Sequence, residues 1–239
     1  GVPITSSLGA IIDSSLDYAV VATPTSTHLP ICLTLAEAGI PTLIEKPLAR
    51  TVSEAEAIRD GYLQSGTRSA VGHIERFNAA FVEARRRISD GLLGPLHQIA
   101  TRRQSHYPSR ISDVGVVLDL ASHDIDATLW ITDSNYTWVE ARGYSKTKGG
   151  REDLVSVTAE LKSGVVVNHL VNWLSPFKER KFTISGAAGT LVIDSLTGDL
   201  TYFAHGHVQT EWDHLANIRG SSEGEITRFS FPKPEPLLT

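Results

Sequence analysis

The sequence of 239 residues contains no methionine and a single cysteine, Cys32. One cysteine excludes an intramolecular disulfide and is compatible with a reducing cytoplasm, where we expect the protein to reside. No stretch reaches the roughly 20 apolar residues that a membrane-spanning helix needs, and the N-terminus lacks a signal-peptide pattern. The net charge is -5 and no long basic run occurs, which argues against nucleic acid as a partner.

The beginning of the chain also lacks a Gly-x-Gly-x-x-Gly motif and opens directly on Gly1-Val2-Pro3. We therefore expect the chain to be a fragment or a processed form of a longer protein. Hydrophobic residues make up 41% and charged residues 21%, as is typical of globular proteins. The length suffices for one large domain or two ordinary domains.

The first third of the sequence alternates between short apolar strands and helices. Strands are predicted at 17–22, 41–44 and 69–72, with helices beginning at Pro30 and at Ser53 between them. Ser53 is a plausible N-cap because Glu56 follows three residues later, as in a capping box. This order predicts a parallel sheet with crossover helices.

The second half has a different pattern, in which strands follow one another across short turns. The predicted strands are 96–105, 136–146, 153–162, 164–174, 179–185, 190–194 and 200–204. Short turns imply a mainly antiparallel sheet. Gly186 and Gly189 resemble a phosphate-binding loop, but they lie between strands with no helix after them, so a hairpin turn is favoured. We place the domain boundary across residues 73–95, where Gly91 and Gly94-Pro95 interrupt the chain.

The central stretch of the sequence is 113–130, DVGVVLDLASHDIDATLW. Residues 114–117 are predicted as a strand-like approach to a helix that carries Asp119 and His123. Because these two lie four residues apart, they share one face of a helix and could form an acid/base pair. The alternative is a favourable negative charge near a helix N-terminus and a semi-buried structural histidine.

Two loops follow predicted parallel strands, Thr23-Pro24-Thr25-Ser26-Thr27-His28 and Glu45-Lys46-Pro47. Ligands bind at the carboxyl ends of the strands in such sheets, so both loops are candidate site segments. Pro47 restricts the backbone of Lys46 to extended conformations, which would help to aim its side chain. The alternatives are an ordinary Pro/Ser/Thr turn and a solvated lysine.

Two further clusters are interpreted as structural. The arginines 85–87 on a predicted helix, 79–90, are expected to form a solvated face. His205, His207, Asp213 and His214 could bind a metal, but they lie in a predicted loop, so a solvated turn is favoured and no metal is expected.

Three motifs in this order, EKP at 45–47, GHIERFN at 72–78 and DLASHD at 119–124, resemble one family. It is the glucose–fructose oxidoreductase, inositol dehydrogenase and MocA-type family (Gfo/Idh/MocA), and the likeness extends through NHLVNWLSP at 168–176. The second motif, together with PSRISDVGVVLDLASHDID at 108–126, looks most like the branch that includes UDP-N-acetylglucosamine 3-dehydrogenases. The resemblance implies an α/β plus α+β fold. A truncated Rossmann-type dinucleotide-binding domain (1–90), lacking its first β-α unit, would precede a substrate and oligomerisation domain with an open, mainly antiparallel sheet (91–239).

The resemblance also implies a set of site residues. The catalytic residues would be Lys46, Asp119 and His123. Contacts to NAD or NADP would come from Ala22, Thr23, Pro24, His28, Glu45, Lys46, Pro47 and Arg76. Substrate contacts would come from Asn78 and Trp173. Histidine suits such a reaction because its pKa lies near working pH.

Apart from the resemblance, the loop at 104–112, with Arg102, Arg103 and Arg110 nearby, could meet the phosphate of a nucleotide sugar, with Arg110 as the predicted contact. The alternative is that these arginines are ordinary exposed residues.

The expected function is an NAD(P)-dependent transfer of a hydride between a sugar or nucleotide-sugar hydroxyl carbon and a nicotinamide cofactor, in a homo-oligomer formed through the open sheet. The alternative is a non-catalytic sugar-binding or assembly member of the same fold. A hydrolase or lyase that uses bound dinucleotide transiently is a third possibility. The missing glycine motif, the missing residue that selects NAD over NADP and the missing C-terminal helix are departures from the family.

Overall fold

The structure is a computed structural model that describes residues 4–108, 113–147, 150–206 and 223–233. The chain divides into two compact units. The first unit consists of residues 1–73 and 109–122, and the second consists of residues 74–108 and 123–239. The segment that contains Asp119 therefore belongs to the same unit as Lys46, although 73 positions separate them in the chain.

The first unit contains a parallel sheet with helices between its strands, as predicted. Its elements are α1 (Leu8–Ile12), β1 (Ala19–Val21), α2 (His28–Glu37), β2 (Thr42–Ile44), α3 (Val52–Ser65) and β3 (Ser69–Val71). The strands lie in the order β1-β2-β3, and both pairs are parallel. Val21 and Ile44 pack against Leu35 and Ile58 of the helices to form the core.

The start of α3 differs from the prediction by two residues. Thr51, not Ser53, is the N-cap: its hydroxyl accepts a hydrogen bond from the backbone N–H of Glu54 at 3.2 Å. The Glu54 carboxylate accepts the backbone N–H of Arg50 at 3.0 Å. The sequence TVSEAE contains two overlapping Thr/Ser-x-x-Glu patterns, and the extended backbone at Thr51 selects the first of them.

The second unit is built on an eight-stranded sheet of the described strands, with α4 (Ala79–Ser89) and α5 (Ser122–Thr132). The strands are β4 (Leu96–His106), β5 (Tyr136–Tyr144), β6 (Leu154–Leu161), β7 (Val166–Asn172), β8 (Leu174–Gly186), β9 (Gly189–Asp194), β10 (Asp199–His205) and β11 (Glu223–Phe229). Their order is β11-β10-β9-β8-β4-β7-β6-β5. Among these pairs, β4–β7 is parallel and the others are antiparallel, which confirms a mainly antiparallel sheet.

The Gly186–Gly189 segment is the hairpin turn that was favoured over a phosphate loop. The two glycines pair with each other across β8 and β9. A Cβ at Gly186 would lie 2.5 Å from the carbonyl oxygen of Leu93, so only glycine fits at this close approach of two backbones.

Arginines 85–87 do not form the solvated face that was predicted. The Arg85 guanidinium carbon lies 4.5 Å from the centre of the Trp130 ring, and that of Arg87 lies 3.4 Å from the Phe229 ring. Arg86 is the exposed member of the three and pairs with Glu83 of α4 and with Asp90, which follows the helix. The prediction was wrong for two of the three because arginine can cover an aromatic ring with its planar group.

Candidate active site

Residues 114–117 do not form the predicted strand-like approach: residue 114 lies in a bend, and helical backbone begins at Val116 and continues into α5. Val116 is fully buried and precedes a π-helical segment, Val117–Ala121, that leads directly into α5. The composition of this apolar run is typical of a strand, but a helical turn buries the same apolar side chains equally well. π-Helical turns are rare and occur frequently at functional sites, and this one carries Asp119.

Lys46 and Asp119 form an ion pair within the first unit. The Lys46 Nζ atom lies 3.1 Å from Oδ1 of Asp119 and also donates to the Asp119 backbone oxygen at 3.0 Å. The two side chains are 20% and 11% exposed. Lys46 is therefore held by two acceptors on one residue, and a solvated lysine is excluded.

A cavity of about 520 Å³ lies around this pair. Its walls come from the segments that follow β1 and β2 and from the segment before the π-helical turn: Ala22, Thr23, Pro24, Thr25, Glu45, Lys46, Pro47, Asp113, Val114 and Asp119. The structure thus brings six of the predicted cofactor-binding positions together with Asp119. The carboxyl ends of β1 and β2 form this edge of the sheet, where the topology places a ligand.

Asp113 lines the cavity and was not predicted as a site residue. Its Oδ2 atom is buried and makes no hydrogen bond within the part of the chain that the structure describes. A carboxylate oxygen without a partner is an acceptor for a ligand hydroxyl or amide. In the sequence Asp113 directly precedes the apolar run at 114–117. This position does not distinguish it from a surface aspartate.

His28, predicted as a cofactor contact, has a different position. It is 1% exposed. Its Nε2 atom lies 3.0 Å from the Thr23 carbonyl oxygen and its Nδ1 atom lies 3.1 Å from the Leu48 carbonyl oxygen. Both ring nitrogens therefore face the protein backbone, and the ring ties the segment after β1 to the segment after β2. In this structure His28 supports the cavity from behind.

Glu45 lies against Gly72, at the end of β3. A Cβ at Gly72 would lie 3.4 Å from the Glu45 carboxyl group, at the short end of ordinary van der Waals contact. Glycine at this position leaves room for the Glu45 carboxylate beside the strand end.

His123 is the second residue of α5 and belongs to the second unit, where it is partly buried. The next residue, Asp124, is 2% exposed and its Oδ1 accepts a hydrogen bond from Nε of Arg103 at 2.7 Å. Two residues further, Asp126 accepts two hydrogen bonds from Arg76, at 2.9 Å and 2.5 Å. The first turns of α5 are thus held by two arginines from outside the helix.

The other predicted site residues lie in the second unit or outside the described chain. Asn78 is the N-cap of α4, where its side-chain oxygen accepts the Ala80 N–H at 3.1 Å. Trp173 is 3% exposed and packs edge-on against the half-exposed ring of Tyr107, with 5.3 Å between ring centres. Arg110 lies outside the described residues.

Of the four residues considered for a metal site, only His205 lies within the described ranges. His205 Nε2 lies 3.2 Å from the Gly186 carbonyl oxygen, whereas His207, Asp213 and His214 lie outside those ranges. The described residues contain no group of three or more His, Cys, Asp or Glu side chains that could hold a metal ion. No described helix has the length and apolar character required to cross a bilayer.

The cavity of the first unit fits part of a dinucleotide by its chemistry. The Asp113 Oδ2 atom supplies an acceptor that has no partner among the described residues, and Lys46 supplies a cationic donor. Thr23 and Pro24 form an exposed wall beside them. Hydroxyl groups of a ribose need such acceptors and donors at the strand ends.

Comparison with known proteins identifies both parts of the chain. Residues 1–73 match the family model described as "Oxidoreductase family, NAD-binding Rossmann fold". Residues 81–192 match the model described as "GFO/IDH/MocA C-terminal domain".

Curated relatives include dehydrogenases of cyclitols and nucleotide sugars. Inositol 2-dehydrogenase 4 of Saccharopolyspora erythraea is 33% identical over 168 residues, which are 68% of this chain and 50% of that protein. The scyllo-inositol 2-dehydrogenase (NAD(+)) of Bacillus subtilis is 27% identical over 91% of this chain and 63% of its own length. The UDP-N-acetylglucosamine 3-dehydrogenase of Acidithiobacillus ferrooxidans is 30% identical over 65% of this chain and 48% of its own length.

The solved structure of the Acidithiobacillus ferrooxidans enzyme has the same fold, with a TM-score of 0.82 at 24% identity over 98% of this chain and 70% of that chain. The chain spans 48 to 63% of the length of the curated relatives named above. Two models of one family, matched in the expected order over 1–73 and 81–192, agree with the fold of both units. The chain belongs to the Gfo/Idh/MocA family of oxidoreductases.

Proposed function

We propose that the protein containing this chain is an NAD(P)-dependent dehydrogenase that acts on a hydroxyl-bearing carbon of a sugar, a cyclitol or a nucleotide sugar. The observation that carries the proposal is the Lys46–Asp119 pair, with 3.1 Å between Nζ and Oδ1, in the wall of a 520 Å³ cavity at the strand ends. A cation in this position favours negative charge on a substrate oxygen. The inositol and UDP-sugar dehydrogenases among the relatives support this substrate class.

The first unit is proposed to bind the dinucleotide and the second to bind the substrate. The segments 22–25 and 45–47 would hold the nicotinamide half of the cofactor, with Asp113 accepting a hydroxyl of its ribose. The bound nicotinamide would supply the redox step by exchanging a hydride with the substrate carbon. The protein's part is to orient the reacting groups and exclude water.

His123 is proposed to move the proton of the substrate hydroxyl. An imidazole nitrogen of His123 would take this proton during oxidation and return it during reduction, since histidine exchanges protons near neutral pH. Lys46 would stabilise the oxygen as it loses the proton, and Asp119 would hold the lysine in place. The partly buried position of His123 and the two arginines that hold α5 support this role.

Calorimetric titration of the chain with NAD+ and NADP+ tests the cofactor site. We expect the chain to bind the dinucleotide and Lys46→Ala to weaken this binding at least about tenfold. A charge-assisted contact of this kind contributes roughly 1.5–3 kcal/mol. Lys162→Ala is the matched control, since Lys162 is an exposed lysine at the end of β6 in the other unit. Equal binding by all three proteins would contradict the proposed site.

Turnover with myo-inositol and with UDP-N-acetylglucosamine tests the chemistry. The reaction is monitored through the absorbance of the reduced cofactor at 340 nm. His123→Asn should lower kcat by roughly 10²–10⁴-fold, the usual contribution of a general base. Binding of sugar and dinucleotide without turnover in the full-length protein would favour the non-catalytic alternative. Full activity of the His123→Asn variant would remove His123 from the mechanism.

Oligomerisation through the large sheet of the second unit is part of the proposal. Exposed apolar side chains occur on its outer strands, with Trp138 50%, Phe203 40% and Ile226 55% exposed. Apolar groups on a sheet favour association with a second copy. Sedimentation of the chain, compared with Ile226→Lys, tests this point. We also retain the cytoplasmic location as a prediction.

A further inference from the structure

Three charged side chains are buried together at the start of α5, outside the cavity described above. Arg103 is 3% exposed, Glu75 6% and Asp124 2%. The Arg103 guanidinium donates from Nε to Oδ1 of Asp124 at 2.7 Å and from Nη2 to Oε1 of Glu75 at 2.9 Å. The three residues come from β4, from a 3₁₀ turn (Ile74–Phe77) and from α5, so one guanidinium joins three separate elements.

The charge on Arg103 is stabilised by its two partners. Burial alone would lower the pKa of the guanidinium, but the attraction of Asp124 and of Glu75, with the hydrogen bonds to both, raises it above its usual value. Replacing a buried ion pair by apolar residues is often neutral or stabilising. A buried cluster of this kind is therefore better explained by a requirement for position than by a gain in stability.

The position that the cluster fixes is the rotation of α5 about its axis. Successive residues of an α-helix differ by about 100° around the axis, so holding Asp124 sets the direction of its neighbour His123. Arg103 lies on β4, which is bordered by β7 and β8 within the described sheet. The helix is thus referenced to an interior strand, and a small rotation would require the Arg103–Asp124 bond to break.

A second tie comes from the same 3₁₀ turn. Arg76 follows Glu75 directly, and its guanidinium makes two hydrogen bonds to the Asp126 carboxylate. The turn therefore holds α5 at Asp126 through Arg76 and holds Arg103 through Glu75. Two such ties on the first half of an 11-residue helix leave little freedom for rotation or sliding.

We propose that Arg103 is a positioning residue that orients His123 by holding Asp124 against β4 and the 3₁₀ turn. The role in turnover rests on the proposed function, in which His123 moves a proton. The orientation of His123 itself does not depend on that function and can be measured separately.

Lysine is the informative replacement for Arg103. Arg103→Lys preserves the positive charge, but an ammonium on a flexible stem cannot present the fixed fork that reaches two carboxylates at once. Glu75→Gln is the second variant, because glutamine keeps the length and a hydrogen-bond acceptor while removing one of the two negative charges. Leu200→Ala is the control: Leu200 is 1% exposed in β10, three strands from β4 in the sheet order, so the variant loses core packing and leaves the Arg103 ion pairs intact.

The first readout is the ¹H–¹³C NMR signal of the His123 imidazole, assigned by its loss in His123→Asn. We expect Arg103→Lys to displace the signal beyond its line width and Glu75→Gln to displace it less. Leu200→Ala should leave the signal unchanged, although it lowers the stability. An unchanged signal in both Arg103→Lys and Glu75→Gln would overturn the proposal.

The second readout is turnover of the full-length protein. A misplaced catalytic group costs roughly 10²-fold in rate, so Arg103→Lys should lower kcat by about 10- to 100-fold. The KM for the dinucleotide should change by less than about twofold, since the cofactor contacts proposed for the first unit are intact. Equal kcat values for Arg103→Lys and wild type would reject the catalytic part of the proposal. A different outcome is that Arg103→Lys displaces the NMR signal while His123→Asn has no effect on the rate. This outcome would reject the proposed function of His123 and would still support the positioning role of Arg103.

Discussion

The geometry of the Lys46–Asp119 pair predicts how much this ion pair contributes to the stability of the first unit. We consider Lys46→Met and Asp119→Asn, separately and together. Methionine keeps the apolar stem of lysine, and asparagine keeps the shape of aspartate, so each change removes a charge with little change in packing. Because Lys46 also donates to the Asp119 backbone oxygen, the lysine change removes both of these hydrogen bonds, whereas the aspartate change removes the negative charge and leaves the backbone acceptor in place.

The expected magnitude follows from the distance and the exposure. At 3.1 Å, two unit charges attract by about 5 kcal/mol at an effective dielectric constant of about 20. Desolvation of both groups offsets most of this attraction, and side chains that are 20% and 11% exposed retain some contact with water. We therefore expect a coupling free energy of about 1–2 kcal/mol in a double-mutant cycle. Each single variant should lower the free energy of unfolding by about 1–3 kcal/mol.

The assay must report on the first unit. All four tryptophans occur at position 130 or later, so their fluorescence reports on the second unit. Cys32 is fully buried in the first unit, and labelling of its thiol in increasing urea measures the unfolding there. The contrary result is a loss of unfolding free energy in the double variant that equals the sum of the two single losses to within about 0.3 kcal/mol. That result would show that the pair does not interact, and would refute the ion pair as an element of the site.

Three further results are expected. The Cys32 thiol, whose pKa burial raises to about 11, should resist a disulfide reagent at pH 8 in the folded protein and react on unfolding. Gly186→Ala should lower the free energy of unfolding by about 1–3 kcal/mol because its Cβ meets backbone. Gly61→Ala in α3, whose Cβ meets only the side-chain tip of Leu33 in α2, should cost less or stabilise, as urea melts would measure. Burial raises the pKa of Tyr136 to about 12, so the unfolded chain releases this proton first, and stability should fall between pH 10 and 12 less steeply in Tyr136→Phe.

Much of the fold follows from local patterns in the sequence. The apolar runs at 19–21, 42–44 and 69–71 are bounded by turn residues and separated by helices, so period and order define the parallel sheet. The close spacing of strands after residue 136 defines the antiparallel sheet in the same way. Local patterns do not locate a helix start within two residues when patterns overlap, as at Thr51 and Ser53.

The contacts of the candidate site depend on tertiary packing that no local pattern contains. The motif likeness named Lys46 and Asp119, but their 3.1 Å contact joins residues 73 positions apart. Asp113 lies outside the EKP, GHIERFN and DLASHD motifs. Arg103 was predicted only as one of three arginines near a possible phosphate, and that is wrong for Arg103, which is 3% exposed and bonded to Asp124 and Glu75. Arg103 shows a weak signal in retrospect, because it continues the inward alternation of Ile99 and Thr101 along β4.

The distribution of buried charge supports the assignment of α5 as the element that carries chemistry. The core of the second unit is apolar and is formed by side chains such as Ile99, Phe182 and Leu191, which are the groups that stabilise a sheet against helices. Asp124 and Asp126 interrupt this pattern on the helix that begins with Ser122 and His123, and each requires an arginine partner. Apolar residues at these two positions would pack the helix with a smaller desolvation cost. The apolar pattern is thus interrupted next to His123, and two buried or half-buried ion pairs stabilise the interruption. This arrangement is explained by a constraint on the direction of the His123 side chain. Local departures of this kind are expected at functional sites.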